Sequence, residues 1–172
     1  MNKIGRLFNS LSERRGIKQK DLAEAAHISK QSMNGYCNGG NVPLDIGMTI
    51  SRTVGDDQYR AELASEILGG LPYFSGDGFE SSSVALQVIS DKEQSERMAL
   101  KDRAIYLMTK RDGKLTDSDR AILDDYRNEF EDEVLVELSL LITIANKLGT
   151  TTLKSREARK VQWTRDGYIK NY

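Results

Sequence analysis

The apolar pattern between residues 18 and 40 constrains the fold of this chain more than any other feature of its sequence. Leu22, Ala23 and Ala26 form one short helical stripe, and Ile28 with Ser29 then interrupts it. Serine is a favoured N-cap, because its side-chain oxygen accepts hydrogen bonds from the free amides of a first helical turn. The segment therefore predicts one helix that ends near residue 27 and a second helix that begins directly after Ser29.

The second helix of this segment buries Met33 and Tyr36, and the glycines that follow Asn38 supply the residues that end it. Two short helices that cross closely need a small residue at the crossing, an apolar residue after the turn and an apolar residue that fixes the second helix. Ala23, Ile28 and Met33 meet these needs in that order. This is the spacing of a helix-turn-helix.

Further helices are predicted on both sides of this pair. One lies over residues 3–15, one is opened by Pro43, and one extends from Tyr59 to Leu68. Residues 69–83 concentrate Gly and Ser, which is the composition of a loop or hinge. We therefore expect an all-α chain with a five-helix domain over 1–68, a hinge over 69–83, a helical oligomerisation domain over 84–149 and a basic aromatic tail over 150–172.

A long helix is predicted from the capping box at Thr116 to Gly149. Between Val134 and Ala145 it is apolar on nearly every side, whereas a surface helix needs only one apolar stripe. Self-association of this helix explains the excess of apolar side chains, and burial of the helix at the centre of a monomer is the alternative. The residues expected at the contact between copies are Phe130, Val134, Leu138, Leu141, Ala145 and Leu148.

The net charge of −1 conceals a strong segregation of charge along the chain. Residues 1–53 carry 8 basic and 4 acidic side chains, residues 54–149 carry 11 and 20, and residues 150–172 carry 6 and 2. A basic N-terminal block beside an acidic body suggests a polyanion-binding module on a separate interaction domain, although solvated helices of uneven charge are the alternative. The basic tail, with Trp163, is expected either to contact nucleic acid or to dock on the acidic body, and the charge of that body favours docking.

The helix-turn-helix segment resembles the lambda-repressor-like (Cro/C1-type, XRE) family of DNA-binding proteins. Gln19, the Leu22-Ala23 pair, the Ile28-Ser29 turn, Met33 and the Asn38-Gly39 pair all fall where the pattern of that family expects them. The resemblance covers about residues 3–68. It implies that the second helix of the motif lies in the major groove of duplex DNA, with its N-terminal side chains against base edges.

The side chains of that helix suit base readout. Lysine donates to guanine, glutamine and asparagine pair with two atoms of adenine, and serine contacts either a base or a phosphate. The candidate base-contacting residues are Lys30, Gln31, Ser32 and Asn34. The resemblance further implies a phosphate contact or a bracing role for Gln19, and a place near the DNA backbone for Asn38. Further candidates for phosphate contact are Lys18, Lys20 and Arg15.

Three residues depart from the pattern of that family. His27 stands where the family usually has glycine, so the turn must accept a positive φ at a non-glycine residue or adjust. Gly35 lies inside the second helix, where it costs about 0.5–1 kcal/mol relative to alanine and permits a close approach to DNA. Cys37 falls where the family often has an acidic residue, and a lone thiol without electropositive surroundings favours packing over redox sensing.

The composition excludes several functional classes. One His and one Cys cannot form a structural zinc site, an intramolecular disulfide or a Cys/His catalytic pair within one chain. The acidic clusters lack the spacing of a calcium loop, and no stretch approaches the roughly 18 consecutive apolar residues of a membrane span. We therefore expect a soluble cytoplasmic protein that is not an enzyme and holds no cofactor or metal.

Together these features predict a transcription regulator of the phage or mobile-element repressor type, which binds inverted half-sites in double-stranded DNA as a homodimer or tetramer. The alternative is an antitoxin or adaptor whose C-terminal helices bind another protein. The two interpretations differ over residues 134–145. A second copy covers this surface in a homo-oligomer, whereas an adaptor leaves it exposed until its partner arrives.

Overall fold

The computed structural model describes residues 3–170, and within this range the chain is all-helical, as predicted. Eight α-helices and one short 3-10 turn over Asp112–Lys114 follow one another without a strand in these residues. The helices are α1 (Lys3–Arg15), α2 (Gln19–Ala25), α3 (Lys30–Cys37), α4 (Leu44–Val54), α5 (Asp57–Leu68), α6 (Ser83–Met108), α7 (Asp117–Lys147) and α8 (Thr152–Arg165). They form two compact units, one from residues 3–72 with 149–170 and the other from residues 73–148.

Polar caps decide where several helices begin. The Thr116 hydroxyl accepts the N–H of Asp119 at 3.2 Å and the Asp119 carboxylate accepts the N–H of Thr116 at 3.0 Å, so the predicted capping box is formed. Helix α5 begins at Asp57, two residues before the predicted start, because the Asp56 carboxylate accepts the N–H of Tyr59 at 2.8 Å. The tail contains α8, a helix that the sequence analysis did not predict.

The first unit has a core in which α1 to α5 all take part. Phe8 and Tyr59 are fully buried, and their rings stack with centroids 6.2 Å apart. The Tyr59 hydroxyl donates to the carbonyl of Gly47 at 3.1 Å, and burial, followed by the charge of Glu62, raises the pKa of this hydroxyl. The other large, fully buried side chains of this core are Leu11, Leu22, Met33 and Ile50.

The second unit is an antiparallel hairpin of α6 and α7. Lys110 Nζ lies 2.8 Å from an Asp119 carboxylate oxygen near the turn, and Arg97 pairs with Glu133 towards the middle of the two helices. Because the residue number falls on one helix as it rises on the other, the two pairs fix the antiparallel direction. The apolar side chains buried in this unit are Leu86, Ala104 and Leu107 of α6, and Val136, Ile142 and Ala145 of α7.

Residues 69–82, most of the predicted hinge, form no helix. Their last part belongs to the second unit, since the N–H of Phe74 donates to the Ser139 hydroxyl at 2.9 Å and the Tyr73 hydroxyl lies 3.4 Å from that of Thr143. Ser139 is fully buried, so this contact satisfies a polar group that α7 places inside the hairpin. The irregular segment is therefore tied to α7 at Tyr73 and Phe74.

Candidate nucleic-acid interface

Helix α3 presents a polar face to solvent because its apolar side chains are used on the opposite face. Ser29 is the N-cap, as predicted, and its hydroxyl accepts the N–H of Ser32 at 3.0 Å. Met33 and Cys37 are buried, at positions four residues apart on one side of the helix. The side chains left outside at the N-terminal end are Lys30, Gln31, Ser32 and Asn34, all of them exposed.

The turn before α3 adopts a positive φ at His27, which was one of the two alternatives expected from the sequence. His27 has a φ of 55° and is the only non-glycine residue with a positive φ among the residues that the structure describes. The N–H of His27 donates to Glu24 and that of Ile28 donates to Ala23, each at 3.0 Å. The turn thus accepts histidine where the lambda-repressor-like family usually has glycine, and these two backbone bonds tie the turn to the end of α2.

Two contacts with α1 hold α3 in place, and the sequence analysis missed both. Asn9 Nδ2 donates to the carbonyl of Cys37 at 2.9 Å, which satisfies a free acceptor at the C-terminal end of α3. Gly5 lies against the backbone of Tyr36, so close that a Cβ at this position would overlap the Tyr36 carbonyl oxygen. A glycine inside an otherwise good helix was the one available signal of this close approach.

The amide of Asn38, the C-cap of α3, is already used within the helix. Its Nδ2 donates to the backbone carbonyl of Asn34 at 2.9 Å and to the Asn34 side-chain oxygen at 3.0 Å. The second bond holds the Asn34 amide in one orientation and leaves its NH₂ group free to donate. Asn38 therefore acts on the candidate base-reading side chain, in addition to the predicted place near the DNA backbone.

The remaining predicted contacts lie around α2. Lys18 is the N-cap of α2 and Gln19 and Lys20 are its first residues, with all three side chains exposed. No ion pair of the described residues involves Lys18, Lys20 or Lys30, so their positive charges remain uncompensated. Arg15 differs, since its Nε lies 3.6 Å from one carboxylate oxygen of Asp56, while Arg14 lies 2.6 Å from the other oxygen of that carboxylate.

The lone cysteine is part of the packing of α3. Cys37 is buried beside Met33, and burial raises the pKa of its thiol. A thiol that stays protonated is a poor nucleophile. This location supports the packing role expected from the sequence.

The residues predicted to join copies of the chain do not all face outwards. Phe130 and Leu141 are each 47% exposed and Leu148 is 74% exposed, whereas Val134 and Leu138 are half-buried. Ala145 is buried within the hairpin, and its neighbour Ile144 is 43% exposed. The exposed positions, together with half-buried Val134, repeat every four and three residues, and we call them the outer stripe of α7: Phe130, Val134, Glu137, Leu141, Ile144 and Leu148.

Three carboxylates of the hairpin approach one another. One carboxylate oxygen from each of Glu93, Glu96 and Glu129 lies within 4.8 Å of the other two. Lys92 Nζ donates to Glu96 at 2.8 Å and to Glu93 at 3.1 Å, and these two bonds raise the pKa of Lys92 to about 12. The cluster is thus an ion-pair network in which Glu129 has no cation at bonding distance among the described residues.

Comparisons of the chain with protein-family models, with curated proteins and with solved structures found no match. Among the described residues, no single helix is both long and apolar enough to cross a membrane, although α7 and α8 meet that criterion by length and composition when counted together.

Proposed function

We propose that this protein is a cytoplasmic, sequence-specific regulator of transcription that binds double-stranded DNA through α3. The observation that carries the proposal is the polar N-terminal face of α3. Lys30, Gln31 and Asn34 are exposed there, and buried contacts with α1 and α2 hold the helix that bears them. A fixed helix that presents such side chains is what base readout in a major groove needs.

The side chains of α3 match the groups that bases expose. The side chains of Lys30 and Gln31 make no hydrogen bond within the described residues, so binding to DNA breaks no side-chain hydrogen bond of these two. Lysine fits guanine O6 and N7, and glutamine or asparagine fits adenine N6 and N7. The order of α1 to α5, with the tight turn at His27, supports the resemblance to the lambda-repressor-like family.

We further propose that the protein acts as a homo-oligomer through the outer stripe of α7. A repeat of four and three residues is the spacing at which helices of two copies pack side by side. Apolar side chains occupy every position of this stripe except Glu137. Two DNA-binding units joined in this way bind inverted half-sites with an affinity that one unit alone does not reach.

Selection of bound sequences from a random duplex library, at two salt concentrations, tests the proposal. We expect enrichment of an inverted repeat, because a symmetric dimer reads the same half-site twice. The variants Gln31→Ala and Asn34→Ala should each relax the preference at one position, by about 1–3 kcal/mol. Binding without an enriched motif that weakens steeply as salt rises would contradict sequence-specific readout.

A second candidate function follows from the same exposed stripe. An antitoxin or adaptor would use the outer stripe of α7 for a different protein, with DNA binding secondary. If the protein has this function, the purified chain should stay monomeric at micromolar concentration, because the outer stripe of α7 then binds no second copy. A dimer at that concentration supports the repressor, of phage or mobile-element type.

A further inference from the structure

Helix α8 carries a concentration of positive charge that the rest of the described chain leaves unpaired. Its basic side chains are exposed, and none of them forms an ion pair within the described residues 3–170. These side chains are Lys154, Arg156, Arg159, Lys160 and Arg165. Charges left free in this way are available to an external anion.

Several of these basic side chains lie on one side of α8. Arg156, Arg159, Lys160 and Trp163 have the i, i+3, i+4, i+7 spacing that places residues on a single helical face. The Arg159 guanidinium lies 5.6 Å from the centre of the Trp163 ring, in a cation–π arrangement. We call these four residues the α8 basic stripe.

The first turn of α8 is fixed to the unit that contains α3. The N–H of Thr152 donates to the carboxylate of Asp57, which lies in the first turn of α5. Both residues are buried, and the other carboxylate oxygen of Asp57 pairs with Arg60 at 2.9 Å. A buried bond to a carboxylate is a strong tether, because either group without its partner would be left desolvated.

Helix α8 contributes few buried side chains to the core of the first unit. Thr152 is its only buried residue, and the helix is exposed over most of its length. A helix this polar gains little free energy from burial. Helix α8 belongs to the same unit as α3, and its positive charge is unpaired. Both observations favour binding of α8 to the DNA that α3 is proposed to read over docking of α8 on an acidic protein surface.

We propose that the α8 basic stripe binds phosphates of duplex DNA beside the site read by α3. The inference rests on the proposed function. Arginine guanidinium groups bind phosphate oxygens with two parallel hydrogen bonds, and lysine adds a point charge. Such contacts add affinity without sequence preference, since every base pair carries the same phosphates.

The single tryptophan of the chain makes the stripe directly observable. Trp163 fluorescence is measured while the full-length protein is titrated with a duplex that carries the selected operator and one helical turn of flank on each side. The same titration is repeated with a random duplex of equal length. We expect both duplexes to change the Trp163 emission, because the stripe contacts backbone rather than bases.

The variant is Arg156→Ala, Arg159→Ala and Lys160→Ala in one chain. Alanine is the best helix former, so this exposed helix is retained. We expect equal losses of affinity for operator and random duplexes, and a salt dependence whose log–log slope falls by about 0.9 for each phosphate that the variant no longer binds. The control removes the same charge from exposed positions of the second unit through Arg103→Ala, Arg111→Ala and Lys114→Ala, and should leave the slope unchanged.

The results separate this inference from the proposed function. If the wild type selects an operator but the α8 variant keeps the wild-type salt slope, the inference is wrong and the function of α3 stands. A change in oligomeric state in the α8 variant, with an unchanged slope, would assign the stripe to protein docking instead. If no duplex is selected and the Gln31→Ala variant binds as the wild type does, the proposed function itself fails.

Discussion

Gly5 of α1 lies directly against the carbonyl oxygen of Tyr36 in α3. A Cβ at position 5 would overlap that oxygen, and backbone atoms cannot move aside as the end of a flexible side chain can. The absence of a side chain at Gly5 therefore sets the distance between α1 and the helix that we propose reads DNA. Gly35, in α3 itself, has no neighbouring atom within 4 Å of the position its Cβ would occupy.

The two glycines predict opposite effects of the same substitution. Gly5→Ala should destabilise the first unit by about 1–3 kcal/mol, because the overlap forces α1 away from α3. Gly35→Ala should stabilise it by about 0.5–1 kcal/mol, since alanine restricts the unfolded chain and meets no obstacle. Urea denaturation followed by circular dichroism measures both. Equal effects of the two substitutions would contradict the close approach of α1 to α3.

Local signals in the sequence were sufficient to predict the starts of α3 and α7. The N-caps at Ser29 and Thr116 depend on side chains within three residues of the amides they bind, so their patterns are readable from the sequence. The positive φ of His27 was expected from the resemblance, since the lambda-repressor-like family usually has glycine at this position. The start of α8 carries the same kind of signal, which the sequence analysis missed: the Thr151 hydroxyl accepts the N–H of Lys154 at 3.3 Å. Only the bond from Thr152 to Asp57, 95 residues earlier in the chain, has no local signal.

The outward face of α7 was harder to predict, for a physical reason. Where a helix is apolar on nearly all sides, spacing alone cannot distinguish the stripe that faces its own hairpin from the stripe that faces solvent. Packing against α6 buries Ala145 and leaves Ile144 outside. The residues predicted to join copies of the chain therefore came from both stripes, and only the tertiary contacts distinguish the two stripes.

The Asn34–Asn38 bond predicts a loss of specificity from a residue that need not touch a base. Asn38→Ala removes the donor that orients the Asn34 amide, so the preference at the base pair that we propose Asn34 reads should weaken several-fold. The double variant Asn34→Ala, Asn38→Ala should lose less than the sum of the single losses. Lys20→Ala is the control, with a uniform loss on all sequences. Additive losses would refute the positioning role.

Asp119 predicts an acid-sensitive contribution to the hairpin. The Lys110 ammonium, followed by the N–H of Thr116, lowers the pKa of Asp119 to about 2. Since the folded pKa lies below the unfolded value of about 3.9, the contribution is complete above pH 4 and is lost as the pH falls towards 2. The difference in unfolding free energy between the wild type and Asp119→Asn should shrink over that range. Asp125→Asn removes the same charge at an exposed position of α7 and is the matched control.

The charge of Glu129 should affect stability in the opposite direction to the charge of Asp119. Burial, followed by the charges of Glu96 and Glu93, raises the pKa of Glu129, so its ionised form opposes folding at neutral pH. Glu129→Gln should therefore raise the thermal midpoint at pH 7, and the advantage should disappear as the pH falls below the folded pKa. Glu131→Gln removes the same charge at an exposed position and should change the midpoint little. A lower midpoint for Glu129→Gln would show that its charge is compensated in solution.

The outer stripe of α7 predicts which substitutions separate copies of the chain. Leu141→Asp places a charge at the centre of the proposed contact, where it would be desolvated without a partner, so the dimer should dissociate at micromolar concentration. Asn128→Asp adds the same charge to α7 away from the stripe and should leave the dimer intact. Sedimentation measures the mass, and operator titration should show a loss of affinity of roughly 10²-fold for Leu141→Asp alone, because each unit then binds its half-site separately. If Leu141→Asp remains dimeric while Asn128→Asp behaves as the wild type, the copies meet through another surface.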